Sequence, residues 1–423
     1  MGVCLTIPRV WNLGIPKEGT VKVQITVQID GRQVETVEAE VRGNAAQREE
    51  QTHRLGKQVG CVVTRQALQE AADHVRRPCC CGRAMDNRGR AKLNICSLDG
   101  PLKIRRQRFR CRRCGAELYP ADRELMCGKH RVTRPLAKRV CQLATLEHFP
   151  ELPQLLFDQH GVRLSHEQII SLVHDVGGAA DRLRRAEAQH WLNTPADKRQ
   201  WPEPQVQPQR IYVSCDGIMY CTNRTEPDPQ HPGQQRLIWQ QMRVGCVYWQ
   251  DEKEHWHKQV LWGRESPEEF GASLYRLACR CGYRQAREKI FAADGGDWCW
   301  SIHERYFAEA AAILDWYHAS EHVWTCAKAL HSENEAAHAW ADQALARMRD
   351  QGGWGLLRWL LTLQTQLRGK KRQTLRALIN YIQPRQDRMD YPAYRERSWQ
   401  IGSGMVESTA RQLVGLRLKG PGM

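Results

Sequence analysis

Three carboxylates stand where they could hold metal ions. Asp216 ends the apolar, β-like run Ile211-Tyr212-Val213-Ser214-Cys215, and Asp294 ends a second one, Lys289 to Ala293. Glu407 falls in the first turn of a helix predicted after Gly402-Ser403-Gly404. Two strand-end aspartates and a helical glutamate suit a cage for two magnesium ions, which supports cutting and joining of nucleic-acid backbones. Gly217 and Gly295, each directly after its aspartate, leave room for a phosphate backbone to approach. Asp297 ranks below Asp294, because beyond a strand end a carboxylate more often caps a helix.

A second group is built from thiols. Cys111-Arg112-Arg113-Cys114-Gly115 is a zinc knuckle, two thiols two residues apart followed by a turn glycine. Its partner is drawn from Cys79-Cys80-Cys81-Gly82, where Pro78 occupies the position a regular knuckle gives to cysteine. The expected zinc ligands are Cys79, Cys81, Cys111 and Cys114, with Cys80 an alternative to Cys79 and Cys96 or Cys127 as helpers. Arg106, Arg108 and Arg110 alternate along a predicted strand and Arg112 and Arg113 follow in the knuckle; all five are candidate phosphate contacts. Lys370, Lys371 and Arg372 form a second such group.

The elements that must position these residues follow from pattern. Val21 to Ile29 alternates apolar and polar, Asp30-Gly31 turns, and Val37, Ala39 and Val41 alternate again, so a hairpin is predicted, with a helix over 54–75. Leu136, Val140, Leu143 and Leu146 share a helical face. Leu152, Leu155 and Leu156 begin a second helix that Gly161 breaks, and Ser165 to Gln168 opens a third with a capping box. Three short helices with a glycine turn read either as a DNA-binding helix-turn-helix or as a plain helical domain. Residues 191–209, with four prolines, read as a linker. Beyond them the order β-β-β-α-β-α-β-α is that of a ribonuclease-H-like α/β fold with a mixed sheet. In that fold the first and fourth strands are central neighbours, which sets Asp216 beside Asp294. The expected organisation is an N-terminal module over 1–77, a zinc ribbon over 78–120 and a helix-turn-helix-like domain over 121–190. The linker follows, then a catalytic domain over 210–423 with a helical insertion at about 328–398.

Composition narrows the partners. The 423 residues carry a formal charge of +16 and a pI near 9.3, which favours a polyanion such as nucleic acid. A hydrophobic share of 41% excludes a disordered chain. The 17 cysteines, with no signal-peptide pattern over Met1 to Ile15 and no spanning run, point to a cytoplasmic protein with reduced thiols. The 15 tryptophans are a high count; many belong to cores, and a protein that handles unpaired bases also uses such rings as stacking platforms.

Read together, Cys215-Asp216-Gly217, then Ala293 to Trp298, then Ile313 to His322, then Gly402 to Ser408 with Arg417 to Met423, resemble the DDE transposases of bacterial insertion sequences. The nearest likeness is to the Kra group, related to the Mutator class. The resemblance implies magnesium- or manganese-dependent cleavage and transfer of DNA strands by Asp216, Asp294 and Glu407. It also picks out Asp315 and His318 as supporting residues, and implies a nucleoid-associated bacterial protein that works on double-stranded DNA as a homodimer or larger assembly. Relatives continue through a further tryptophan- and arginine-containing segment, so a C-terminally shortened chain is expected. Two other readings of the same residues are a non-catalytic zinc-ribbon DNA-binding protein and a structure-specific nuclease.

Overall fold

The structure, a computed structural model, describes residues 20–332, 335–415 and 418. The stretch Met1 to Ile15 and most of Arg417 to Met423 lie outside the described residues. The chain divides into two compact units, residues 1–179 and 180–423.

In the first unit, strands β1 (Val21–Ile29) and β2 (Arg32–Val41) pair antiparallel. Asp30 and Gly31 turn between them at φ of 51° and 74°, the mirror-image turn whose twist matches the strands. Helix α1 (Ala45–Asp73) begins well before Arg54, because Asn44 and Gln47 form a reciprocal capping box. The two-residue strands β3 (Cys79–Cys80) and β4 (Arg83–Ala84) make a minimal hairpin. Strands β5 (Asp86–Ser97), β6 (Gly100–Arg110) and β7 (Glu117–Leu118) form an antiparallel sheet in that order. Leu93, Ile95, Leu102 and Ile104 of this sheet bury against Ala72 of α1 and Leu125 of α2 (Asp122–Leu125).

Helices α3 (Arg134–Ala144), α4 (Leu152–His160) and α5 (His166–Asn193) follow. Leu136, Val140, Leu143, Leu152, Leu156, Ile169 and Leu172 share one core. Leu146 departs from the predicted face: it lies beyond the end of α3 and is 73% exposed. Gly161 ends α4 in the left-handed region at φ 65°, and the Ser165 hydroxyl and Gln168 side chain cap α5 reciprocally. The third helix is not short. It runs on through Gly177 and Gly178, and its last residues belong to the second unit.

The second unit is a mixed α/β body. Strands β8 (Arg210–Pro227), β9 (Gln235–Gln250) and β10 (Trp256–Gly263) are consecutive and antiparallel. Helix α6 (Pro267–Arg280), β11 (Glu288–Ala293), α7 (Asp297–Tyr306) and β12 (Ala311–Leu314) then alternate. The sheet order is β10-β9-β8-β11-β12, with β11 parallel to both β8 and β12. Fully buried Ile211, Val213, Phe291 and Ile313 show why β8, β11 and β12 read as continuous apolar runs: both faces are covered.

Helices α8 (Trp316–His331), α9 (Glu335–Gln366), α10 (Gly369–Ile382) and α11 (Tyr391–Glu396) come next, and α12 (Gly404–Ala410) follows them. Gly352 breaks α9 at φ 68°, where a Cβ would meet the Met389 carbonyl oxygen at 2.8 Å. The proline-rich segment before β8 is tied down, not loose: the Gln205 amide donates to the Arg280 carbonyl at 2.7 Å, and the Gln209 carbonyl accepts from Arg287 and Glu288. No described helix is long and apolar enough to cross a membrane.

Candidate functional sites: four thiols and three carboxylates

The thiol group is Cys80, Cys81, Cys111 and Cys114, whose sulfurs all lie within 4.8 Å of one another and could hold a metal such as zinc. Among the described residues it is the one group of His, Cys, Asp or Glu with ligand atoms that close. Cys80 takes the place expected of Cys79. The reason is local: Cys81 and Gly82 turn at φ of 51° and 74°, so β3 and β4 join through a two-residue loop. Cys79 and Cys80 are consecutive strand residues whose side chains leave opposite faces. Cys80 therefore turns inward to Cys114, Sγ to Sγ 3.5 Å, while the left-handed backbone at Cys81 brings the adjacent thiol to the same side, 3.8 Å from Cys80.

The downstream knuckle closes as its spacing predicts, with the Gly115 amide donating to the Cys111 carbonyl at φ 72°. Amides of Cys114 and Arg113 lower the Cys111 thiol to about 7, while the hydrogen bond to Cys114, then those to Cys111 and Cys81, push Cys80 up to about 12. Four sulfurs from two facing turns match a tetrahedral zinc site in donor type and number.

The arginines around this ribbon are not equivalent. Opposite Arg108, strand β5 carries two residues, Arg88 and Gly89, one more than β6, so the pairing shifts between Asn87 and Arg90. Beyond it Phe109 packs in a separate small core with Met85 and Cys111, not with Leu102 and Ile104. Arg106 stays on the face of Leu102 and Ile104, ion-paired to Asp122 and with its guanidinium 4.1 Å from the Tyr119 ring centre. Arg110, past the bulge, points outward while Phe109 is buried. The expected single face of Arg106, Arg108 and Arg110 is thus broken. Arg108 is half-buried, Arg112 is paired with Asp86, and Arg110 and Arg113 are exposed. Lys370, Lys371 and Arg372 are exposed in the first turn of α10, not between helices. The helix dipole opposes cations at that end, so the helix gains nothing from them.

The carboxylates come from distant parts of the second unit. Ala293 pairs with Cys215 across β11 and β8, so Asp294, just past the end of β11, lies beside Asp216. Asp216 does not end its strand as expected: it pairs with Val244, and β8 runs on to Pro227. The Gly217 amide donates to Asp216 at 2.6 Å. For Asp294, the Gly296 amide donates at 3.0 Å and the Cys299 thiol at 3.6 Å. Glu407, on α12, accepts from the Ser403 hydroxyl at 2.6 Å.

Burial raises the Asp216 carboxyl above its ordinary range. The Asp294 charge raises it further, the Gly217 amide opposes this, Glu407 adds a smaller rise and His318 a smaller fall. The three carboxylates and His318 therefore share one field. Asp297 does not join them: Gly296 is the N-cap of α7, and Asp297 is its first residue, almost fully exposed beside Arg385.

Asp315 and His318 have different duties. Asp315 is fully buried and caps α8 by accepting the His318 amide. Its other oxygen accepts the Ser403 amide, and the Trp316 amide reaches the Ile401 carbonyl at 2.9 Å. One carboxylate thus joins the end of β12, the start of α8 and the loop that carries Glu407. The His318 ring faces the loop after Asp294, where a Cβ on Gly295 would meet its Nε2 at 3.3 Å and the Tyr381 hydroxyl at 3.1 Å.

Tyr381 and Arg385 had no signal in the sequence beyond an ordinary helical pattern. Tyr381 stacks on His322 with ring centres 3.7 Å apart. Arg385 donates to the Gly295 carbonyl at 3.1 Å and lies 4.6 Å from the Tyr381 ring centre. Both follow the long α9 and hold the Asp294 loop from the helical side.

The chain matches no protein-family model and no curated protein.

Proposed function

We propose that the chain is a DNA transposase of the Asp-Asp-Glu type, cutting and joining strands at insertion-sequence ends. The observation that carries this reading is the pairing of Ala293 with Cys215, which sets Asp294 beside Asp216 on neighbouring strands, with Glu407 close enough for its charge to act on Asp216. A five-stranded sheet in the order β10-β9-β8-β11-β12 supports a ribonuclease-H-like assignment, since that fold brings its first and fourth strands together.

The carboxylates fit hard divalent cations. They offer oxygen donors only, and after burial the charges of Asp294 and Glu407 raise the Asp216 carboxyl, charge that a bound cation would offset. Bound magnesium or manganese would activate the attacking water or 3′-hydroxyl and stabilise the leaving oxygen. The chain's own part is orientation. The amides of Gly217 and Gly296 and the Ser403 hydroxyl each hold one oxygen of Asp216, Asp294 and Glu407 and leave the other for a ligand. Asp315 fixes the Ser403 loop, while Arg385 and Tyr381 fix the Asp294 loop.

Recognition of the ends falls, in this reading, to the zinc ribbon and the three helices α3 to α5. Exposed Arg110 and Arg113 would meet phosphates there, and Lys370, Lys371 and Arg372 elsewhere. Pairing of two ends calls for a homodimer or larger assembly.

The test uses purified protein, Mg²⁺ or Mn²⁺ and a labelled DNA duplex carrying the element's end. Nicking followed by joining to a second duplex is expected, and Asp294→Asn abolishes both. Nicking without joining makes the protein a nuclease. Salt-sensitive binding with no nicking leaves a non-catalytic DNA-binding protein.

A further inference from the structure

A cavity in the second unit, away from the carboxylates, is lined by cations and aromatic rings. It measures about 510 Å³ and lies where the end of α5 and the following segment meet the C-terminal half of α6. Lys198, Arg199, Arg276 and Arg280 line it, against the single carboxylate of Glu187. Glu187 accepts from one nitrogen of Arg276 at 3.0 Å and of Arg280 at 3.3 Å. A guanidinium has five N–H groups, so most of this donor capacity faces no acid.

The wall is aromatic. Trp191 is buried at 4% exposure and Trp201 is 36% exposed. Trp201 meets Trp191 and Tyr275 edge to face, with centroids 5.6 Å and 5.7 Å apart. Arg199 sits 4.2 Å from the Trp191 ring centre, and its Nε donates to the Thr194 carbonyl at 2.9 Å. An exposed tryptophan on a proline-rich segment would ordinarily be mobile. This one is held by its aromatic neighbours, and the Gln205 amide bonded to Arg280 fixes the chain that carries it. Val206 also passes so close to Gly282 that a Cβ there would meet its carbonyl oxygen at 2.3 Å.

A rigid ring beside a surplus of cations recognises a planar base with a phosphate, since base stacking tolerates any sequence and arginines supply both charge and cation–π contact. The site is not the carboxylate site. Arg243, opposite Gly217 in the sheet, donates to the Glu265 carbonyl, which places the start of α6 at the carboxylate end. The cavity lies at the other end of α6, one helix length or roughly 20 Å away.

We propose that this cavity binds an unpaired nucleotide of a DNA strand, stacked against Trp201 and held through its phosphate by Arg276, Arg280 and Lys198. The proposal extends the nucleic-acid reading to a place outside the carboxylate cluster and does not require that cluster to cut DNA.

The test is photocrosslinking of the full chain, without divalent metal, to a short single-stranded oligodeoxynucleotide carrying 5-iododeoxyuridine, with the adduct mapped by mass spectrometry. An adduct on Trp201 is expected, reduced at least severalfold in Arg276→Ala/Arg280→Ala. The exposed charge reversal Lys198→Glu gives the same loss without touching packing, should the double variant fail to fold. Adducts confined to other aromatic residues, or a Trp201 adduct indifferent to Lys198→Glu, overturn the proposal. So does displacement by polyglutamate but not by unlabelled oligonucleotide, which makes the cavity an acidic-peptide site. The nicking assay reads the carboxylates alone, so either idea can fail without the other.

Discussion

The thiols of Cys80, Cys81, Cys111 and Cys114 close to within 4.8 Å of one another, while the described carboxylates form no group of that tightness. The difference lies in protons. A thiol ordinarily keeps its proton near neutral pH and can donate it to the next sulfur. Hydrogen bonds from its sulfur neighbours raise Cys80 to about 12, while backbone amides do most of the lowering of Cys111 to about 7. Carboxylates are ionised at that pH and only accept, so they repel and must be held apart by donors from the scaffold. Gly217, Gly296 and Ser403 are those donors. A thiol site can gather itself from two turns; a carboxylate site needs a sheet and a long helical excursion to bring it together.

The largest effect that would sharpen this contrast is on chemistry. Asp294→Asn should reduce nicking by roughly a thousandfold or more, the scale of several kcal/mol of lost charge stabilisation, while far-UV circular dichroism stays unchanged. Full activity in that variant would break the carboxylate half of the comparison. Next comes the thiol half. Cys80→Ser should lower zinc affinity by roughly a hundredfold or more, and Cys79→Ser should leave it alone, as read by competition with a chromogenic chelator. Equal losses from both would restore Cys79 as a ligand.

A smaller effect is expected at the donor that holds Glu407. Ser403→Ala removes one hydrogen bond to a carboxylate, about 1.5 kcal/mol, and should slow nicking by about tenfold. The smallest effect is on stability. Because the Asp216 carboxyl is raised in the folded chain, its ionisation opposes folding above that raised value. The penalty disappears below the unfolded value of about 3.9, where both states hold the proton. Asp216→Asn should therefore raise the melting temperature at pH 7 by a few degrees and lose that advantage as the pH falls towards 3.5. An advantage that persists unchanged at pH 3.5 would mean the gain is not electrostatic.

What could be read beforehand follows the range of the interaction. The two aspartates were legible because a continuous apolar run closed by Asp-Gly is a local signal, and the alternation of strands and helices gave the order; that β8 runs on past Asp216 depends on its pairing with β9. The Asp30-Gly31 turn and the cap at Ser165 were legible for the same reason. Cys79 was chosen over Cys80 because spacing rules assume ordinary backbone, and Cys81 is at positive φ. Arg106 follows Leu102 and Ile104 in the alternation, and its engagement by Asp122 and Tyr119, residues past the end of the sheet's long strands, leaves no mark in its own strand. Tyr381 and Arg385 reach Gly295 only through the packing of the helices after β12, and a helical repeat cannot say which turn will face which loop. Asp315 was singled out by its motif, yet its work is to bond two backbone amides, His318 and Ser403.

That last pair of bonds has a consequence in time. Asp315 can cap α8 as soon as His318 has left the ribosome, but the Ser403 amide that engages its other oxygen is made 88 residues later. Until then, the loop that sets Glu407 does not exist. Residues 210–315 can already have formed their sheet, with Asp216 and Asp294 on neighbouring strands and Glu407 not yet made. A chain that breaks off short of Ser403 is therefore left with one oxygen of a buried carboxylate without its amide partner.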